Sequence, residues 1–569
     1  MVRRARRTVS GKPVPGKFRA EATLVEEGVL RVHRIVLALV TAVVVALGML
    51  PAVSASAARG ATDALPVGDP SGGLPLGPSG LPQSQTTTQV APGLTYTRFE
   101  RGFMSPSDFW TVEVDVVDTS AEADALAARL KADGFDAYVH PFPTAPDDPT
   151  SGAKDYVVRS GHFSSKDEAD SRTGRLRAAG YSRARTDYTS LDGSTTDGPW
   201  IVHVMTIDPS SFQGRLEPHL ATDIVPDKEQ LTSIAARTGA VAGINGGYFV
   251  VGPEDGTPGD LAGLSVIDGQ LISEAVNGRT DLVVTEGPSV SARVVRLSTI
   301  DRIVSSDTAH RELDGLNRRP GLIRACGGTG GDEPTQNPLH DFTCTDSSEV
   351  IRYTPDFGTT TPSGDGYEVS LDSSGVVVVA HERRGTSVPA DGSVLAGTDS
   401  GAQWLRDHAR VGDRITVHEQ LLSGGQPLCT PASGCAVFQP TARTGILNGG
   451  PRLLGDGAAD VTAYAEGFVH PGDPRFYYHF GEHRNPRTLA GVRPDGTIVL
   501  VVADGRYPNL SVGLSFREEA RIMQAFGTRD AVNLDGGGSS TMTVGSTLVN
   551  HPSDTTGERP IGDALLLLP

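Results

Sequence analysis

Two stretches near the C-terminus decide the fold: Thr497-Ile-Val-Leu-Val-Val-Ala-Asp504-Gly-Arg506, and Ala531-Val-Asn533-Leu-Asp535-Gly536-Gly537-Gly538-Ser539-Ser540. Each is an apolar run of strand length that ends in an Asp followed by Gly. Between them, Ser515 and Glu518 stand at capping-box spacing, and Phe516, Ala520 and Met523 share one helical face up to the stop at Gly527. The pattern predicts a strand-helix-strand crossover whose two strands run the same way. If those strands are neighbours they lie about 4.8 Å apart, and Asp504 and Asp535 meet just past their carboxyl ends. Two carboxylates so placed suit an acid and a base or nucleophile, because like charge and burial drive their pKa values apart. Taken singly, an Asp before Gly is most often only a turn or a helix cap. Three glycines in succession offer no packing, but they suit a backbone at positive φ or close to a ligand, as in an anion-binding nest. With Ser539, Arg506 and Arg487 in reach, such a nest would hold one phosphate.

The same construction recurs upstream. A helix expected over 228–238 leads to a strand over 241–244 that ends in Asn245-Gly246-Gly247-Tyr248-Phe249, and a third version reads Ile446-Leu-Asn448-Gly-Gly-Pro-Arg452. An amide at a strand end both donates and accepts, and Tyr248 offers a ring face, so these positions suit sugar hydroxyls. Alone, each Asn-Gly-Gly is a tight turn. The Val run over 376–380 predicts a buried strand, and 414–421 is a further regular element, inside a turn-rich region from about 286 to 439.

Residues 107–191 show a different rhythm. A strand over 110–117, a helix over 120–132 and a strand over 135–139 are followed by a strand through Tyr156, Val158 and Phe163, a helix over 165–179 and a strand from Tyr181. This is a βαββαβ unit, with helices on one sheet face and the other face free. Asp155-Tyr-Val-Val-Arg-Ser-Gly-His-Phe163 resembles the SPOR domain, which implies binding of peptidoglycan glycan strands. The alternative is a ferredoxin-like spacer whose open face packs on the next domain.

The 569 residues allow three to four domains. A net charge of −18 disfavours a nucleic-acid partner, since phosphate backbones need a basic face. Ile35 to Leu50 is an apolar run behind His33-Arg34 and ahead of Ala55-Ser-Ala57; it is short of the ~20 residues that span a bilayer, so residues 1–57 read as a cleaved secretory signal. Cleavage moves the net charge to −24, because nine Lys or Arg and three Glu leave with the signal. No stable membrane insertion is expected afterwards. Residues 58–106, rich in Gly, Pro, Ser and Thr, read as a disordered tether. Four cysteines allow three pairings, of which the local pairs Cys326/Cys344 and Cys429/Cys435 are the economical ones for an exported chain.

Six blocks from 199 to 569 resemble, in order, the phosphodiester glycosidase family: Gly243-Ile-Asn-Gly-Gly-Tyr-Phe249, Leu447-Asn-Gly-Gly-Pro451, Asn485-Pro-Arg-Thr-Leu-Ala-Gly-Val492, Val502-Ala-Asp-Gly-Arg506, Asn533-Leu-Asp-Gly-Gly-Gly-Ser-Ser-Thr541 and Glu558-Arg-Pro560. The resemblance implies an α/β enzyme with a large mixed-sheet catalytic domain over 199–569, preceded by the small SPOR-like domain. It implies hydrolysis of a sugar-1-phosphodiester at the glycosidic C–O bond. A departing phosphate needs little protonation, so cations and amides on the phosphate plus one carboxylate at the sugar carry the reaction. Asp535 is expected as nucleophile or base and Asp504 as acid or water positioner. Arg487 and Arg506 are assigned to the phosphate, and Asn245, Gly246, Tyr248, Asn448, Asn533, Gly536, Gly537 and Ser539 to substrate binding. His470, His479 and His483, with Asp473 and Glu482, match no metal-ligand spacing and are expected as solvated or aromatic-packed residues of a mobile loop. No cofactor is required, and a divalent cation is compatible but not indicated. An insert over 324–344 is expected as a disulfide-braced loop rather than a lid. The protein is therefore expected to be secreted and wall-associated, taking a phosphorylated saccharide as substrate and peptidoglycan strands as partner. The alternatives are a wall-binding scaffold without turnover and a glycosidase of ordinary linkages.

Overall fold

Alternation explains the central strand. In Ile498–Ala503 every residue is buried, with Ile498, Leu500 and Val502 packed in one cluster and Val499, Val501 and Ala503 in another. A strand covered on both faces reads as a continuous apolar run, and each fully buried Val or Leu stabilises the fold by roughly 1.5–3 kcal/mol. In the computed structural model, which describes residues 73–149, 154–276, 278–324, 333–334, 344–424, 426–427, 443–470 and 473–569, this strand lies near the middle of an eight-stranded sheet. The expected signal, the tether up to residue 72, Cys326, Cys429, Cys435 and most of the 324–344 insert lie outside the described residues; Cys344 is disulfide-bonded. All the described residues belong to one compact unit.

The sheet order is Gln83–Ala91, Leu94–Arg101, Trp200–Ile207, Ile498–Ala503, Arg487–Val492, Asp530–Asn533, Arg452–Gly455 and Ala458–Ala459. Helix Phe516–Ala525, capped by Ser515 and Glu518 as its spacing predicts, covers one face with Phe516, Ala520 and Met523. Two further sheets cover the other face, through residues such as Ile244, Leu282, Leu447 and Leu565. The mixed α/β class holds, with sheets dominant.

Four expectations change. The two strands joined by the helix run parallel but are not neighbours, because Arg487–Val492 lies between them and pairs antiparallel with both. Residues 83–101, expected in the tether, form two strands: Leu94 and Phe99 are fully buried, while Gln-Ser-Gln-Thr-Thr-Thr-Gln is an exposed outer strand. Its polarity hides it from a hydrophobic reading, although β-branched Thr suits a pleated surface. The Val run gives strand Val377–Arg384, but at a sheet edge, where Val377 is buried and Val378 and Val379 are exposed. Finally, Arg101 pairs with Trp200 across two antiparallel strands, so the βαββαβ module does not precede the large domain but is inserted into a hairpin of its central sheet.

That module has strand order Tyr138–Pro143, Lys154–Phe163, Trp110–Val117, Arg185–Tyr188, all antiparallel. Helices Ser120–Ala132 and Lys166–Ala178, each opened by a capping box (Thr119/Glu122, Ser165/Glu168), pack Ala123, Leu130, Ala169 and Leu176 towards Val112, Val114 and Val158. The other face is not free. Thr111, Glu113, Arg159 and Asp187 are all buried, and Val116, Phe142 and Val157 pack on Tyr478 of the large domain.

Candidate active site

Register fixes what meets at the sheet's edge. Strand Arg487–Val492 pairs Arg487 with Ala503 on one side and Leu489 with Asn533 on the other. Its first residue therefore sits between the carboxyl ends of the two outer strands. Asp504 and Asp535 follow the strands on either side of it, strands that lie two spacings, about 9.6 Å, apart rather than one.

Asp504 turns inward. Its Oδ1 accepts from the His551 amide (2.8 Å) and from Asn550 Nδ2 (3.3 Å), and its Oδ2 lies 3.3 Å from His203 Nε2. The Tyr96 hydroxyl closes the chain on His203 Nδ1 at 2.8 Å. With both oxygens engaged and only 2% of its surface exposed, Asp504 braces the strand end and does not line the cavity where Asp535 lies. It was expected opposite Asp535, and the structure places its carboxylate on His551, Asn550 and His203 instead.

Asp535 is partly exposed in a cavity of about 280 Å³. Three arginines line that cavity, Arg487, Arg506 and Arg559, together with Gly536, Gly537 and Gly538. The glycines do not form the expected nest. The Gly536 amide donates to Asp535 Oδ1, that of Gly537 to the Pro486 carbonyl, and those of Ser539 and Ser540 to the carbonyls of Gly536 and Gly537. What the glycines permit is close approach of cations: a Cβ at Gly537 would lie 3.0 Å from Arg506 Nη2, and one at Gly538 would lie 2.2 Å from Arg559 Nη2. Ser539 is buried behind them, its Oγ 3.5 Å from Arg559 Nη1.

The three guanidinium groups differ in how their charge is met. Arg559 is held by Asp554 through two hydrogen bonds of 2.7 and 2.9 Å. Arg487 lies over the Phe516 ring at 4.6 Å and pairs with Glu519 at 2.8 Å. Burial pushes Glu519 up to about 8, against the opposing pull of the Arg487 charge. Arg506 donates to Asn485 Oδ1 from Nε and Nη2 (3.2 and 3.0 Å) and to Ser553 Oγ, and among the described residues it forms no ion pair. Desolvation, then the like charges of Arg487 and Arg559, lower its pKa from the ordinary value. An anion entering the cavity would relieve that repulsion.

The two Asn-Gly-Gly ends and the strand end at Asn533 also converge, but beneath the cavity. Asn245 Oδ1 accepts from Thr488 Oγ1 (2.7 Å) and the Thr541 amide (3.1 Å), and its Nδ2 donates to the Asp535 carbonyl (2.7 Å). Asn448 Oδ1 accepts from the Tyr248 amide at 2.7 Å. Asn533 Nδ2 donates to the Tyr248 hydroxyl, which itself donates to the Gly450 carbonyl, both at 2.7 Å. Three strand ends from three sheets are thereby knitted into one floor. Asn245, Gly246, Tyr248, Asn448 and Asn533, expected at the sugar, are not among the residues that line this cavity; they lie in the hydrogen-bonded floor beneath it. Gly246 and Gly247 make room for Asp563 and Asn448, whose side-chain atoms would lie 2.3 and 2.5 Å from an added Cβ. Burial pushes Asp563 up to about 7; the Gly247 amide opposes the rise and the charge of Asp535 adds to it.

The third wall comprises Phe476, His479, Phe480 and Asn485. His479 belongs to a single π-helical turn, Tyr478–Glu482, and its Nε2 lies 2.7 Å from Oε1 of Glu113 in the inserted module. His483 Nε2 lies 3.0 Å from Asp187 Oδ1 of the same module, and the Tyr478 hydroxyl accepts from Arg159 at 2.8 Å. Burial alone would raise Asp187, but His483 and then Arg159 more than offset it and hold its pKa below the ordinary value. His470 stacks on Phe476 at 4.3 Å, as an aromatic-packed residue was expected to do. His479 and His483 are not solvated loop residues: they are where the inserted module meets the cavity wall.

The phosphodiester glycosidase family model matches residues 365–568, which hold the arginine cavity, and the SPOR domain model matches 106–184, the inserted module. The chain carries a phosphodiester glycosidase domain and a SPOR domain. Over 68 residues it is 38% identical to N-acetylglucosamine-1-phosphodiester alpha-N-acetylglucosaminidase of Mus musculus, and over 84 residues 36% identical to the SPbeta prophage-derived uncharacterized protein YomE of Bacillus subtilis. These matches cover 12% and 15% of this chain, and only 13% of either relative. The crystal structure of a "Putative exported protein" from Burkholderia pseudomallei is similar over 89% of this chain and 100% of that one, with 35% identity and a TM-score of 0.78.

Within this phosphodiester glycosidase domain, the strand-end reading found Asp535, Arg487, Arg506, Gly536 and Gly537, all of which line the cavity. It missed Arg559, Asn485, Gly538, His479, Phe476 and Phe480. Arg559 and Asn485 stand inside quoted blocks, and Gly538 inside the Gly run, so their signal was present. Phe476 lies in the short helical turn Arg475–Tyr477, and His479 and Phe480 in the π-helical turn that follows it, which no apolar period announces.

Proposed function

We propose that the protein is an exported hydrolase that cleaves the C–O bond of a sugar-1-phosphodiester and works at the cell wall. The observation that carries this reading is that Arg506, an arginine without a carboxylate partner among the described residues, lines the same cavity as Asp535, beside Arg487 and Arg559. The phosphodiester would sit among the guanidinium groups, which stabilise the departing phosphomonoester as charge gathers on its oxygens. Asp535 would act at the sugar carbon, as nucleophile or as the base that takes a proton from water. Because phosphate leaves as an anion, a second carboxylate is not needed to protonate it, which fits the inward orientation of Asp504. Export accords with the apolar run at 35–50, and association with peptidoglycan with the SPOR domain.

The test is release of free sugar from a synthetic N-acetylglucosamine-1-phosphodiester, set against an aryl N-acetylglucosaminide. The full chain should hydrolyse the first and not the second, and Asp535→Asn should lower kcat about 10³-fold or more while the thermal midpoint holds. Preference for the aryl glycoside, inertness on both, or an undiminished Asp535→Asn variant would overturn the reading.

A further inference from the structure

A second and larger cavity, about 750 Å³, opens beside the arginine pocket, within the span of roughly 300–1,000 Å³ usual for ligand sites. It lies where the SPOR sheet begins: Trp110 pairs with both Phe163 and Tyr188, and these three rings line it with Phe109 and His162. Phe109 and His162 are stacked at 3.6 Å and Trp110 lies 4.8 Å from Tyr188. Neighbouring Phe103 and Met104 are 48% and 54% exposed, and Met104 is part of the wall. Polar groups interrupt the rings: Asp108, Glu168 and Asn509. None of the lining residues is Lys or Arg, the reverse of the arginine pocket.

Rings flanked by carboxylates and an amide match a neutral sugar chain, whose C–H faces stack on aromatic rings while its hydroxyls and amides take hydrogen bonds. They do not match a phosphate. The SPOR face opposite the helices cannot serve, since Tyr478 and the polar residues around it fill it. The two cavities share one loop: Arg506 lines the first, and Pro508 and Asn509 line the second. Two residues of chain span at most about 7 Å, so one ligand can touch both sites.

We infer that the aromatic cavity holds the neutral glycan strand that carries the phosphodiester, so that the substrate is a sugar-1-phosphate pendant on a polysaccharide rather than a small molecule. This rests on the phosphodiester glycosidase reading for the arginine pocket, but not for the aromatic cavity itself. Holding the strand in one cavity would raise the effective concentration of its pendant group in the other.

The experiment uses the full chain and an N-acetylglucosamine tetrasaccharide as probe, with binding read by calorimetry and by the fluorescence of Trp110. The tetrasaccharide is expected to bind, and the Phe109→Ala/His162→Ala double variant to weaken it about tenfold or more. Turnover of the small phosphodiester should stay unchanged. Because the double variant touches packed rings, Asn509→Arg on the exposed opposite wall is the second probe and should weaken the tetrasaccharide too. Unaltered binding in both variants, no binding in the parent chain, or displacement of the tetrasaccharide by N-acetylglucosamine-1-phosphate would overturn the inference. Failure of hydrolysis with the tetrasaccharide still bound would sink the catalytic reading and leave the glycan cavity standing.

Discussion

Replacing Asp504 by Ala would leave the His551 amide, Asn550 and His203 facing a buried gap. An unsatisfied buried group costs about 1–3 kcal/mol, so Asp504→Ala should lower the thermal midpoint while the molecules that fold keep their turnover. Arg506→Ala should weigh the other way: it strands only Asn485 Oδ1 at the cavity wall, so the midpoint should fall less than in Asp504→Ala, while kcat/KM for the phosphodiester falls about 10²–10³-fold. Thermal scans beside steady-state kinetics separate the two variants, and a collapse of kcat in folded Asp504→Ala would return Asp504 to the mechanism. These two residues also show where the sequence stops being legible. Both follow the same strand and flank the same glycine, yet Asp504 turns inward to His551 and His203 while Arg506 lines the cavity. The strand ends were readable because glycine leaves a mark; the direction of a side chain past a strand end leaves none.

At the scale of elements, the π-helical turn Tyr478–Glu482 joins the SPOR sheet to the cavity wall. Glu113 reaches His479 across that joint, which makes Glu113 a positioning residue supplied by another domain. Glu113→Gln keeps the shape and removes the charge. If the contact orients the wall, kcat should fall about tenfold and the pH profile of turnover should change, with KM little affected. A loss confined to the thermal midpoint would mark the contact as merely structural. The SPOR helices were legible from capping boxes and apolar spacing, because those signals are local. The covering of the sheet's other face was not, since Glu113, Arg159 and Asp187 read as solvated charges until their distant partners are placed.

Across the whole molecule, several buried acids are pushed up by desolvation: Asp563 and Glu482 to about 7, Glu519 and Asp301 to about 8. Folding favours their protonated forms, so the stability they lend is complete below the ordinary carboxylate range and is lost as pH rises through 7 to 8. Asp187 works oppositely, lending stability at ordinary pH that is lost only as pH falls below the usual carboxylate range. The thermal midpoint should therefore fall between pH 5 and 8, and Glu519→Gln should flatten the fall; a midpoint constant across that range would contradict the assignment. The hairpin that receives the SPOR module has a practical corollary for anyone dissecting the chain. With Arg101 beside Trp200, the two halves of the central sheet are stitched on either side of the insert. A fragment that starts downstream of the module forfeits two strands and bares the flank of Trp200–Ile207, whereas splicing a short turn from Arg101 to Trp200 would keep both strands of the hairpin but bare Tyr478 and His483, which the module covers.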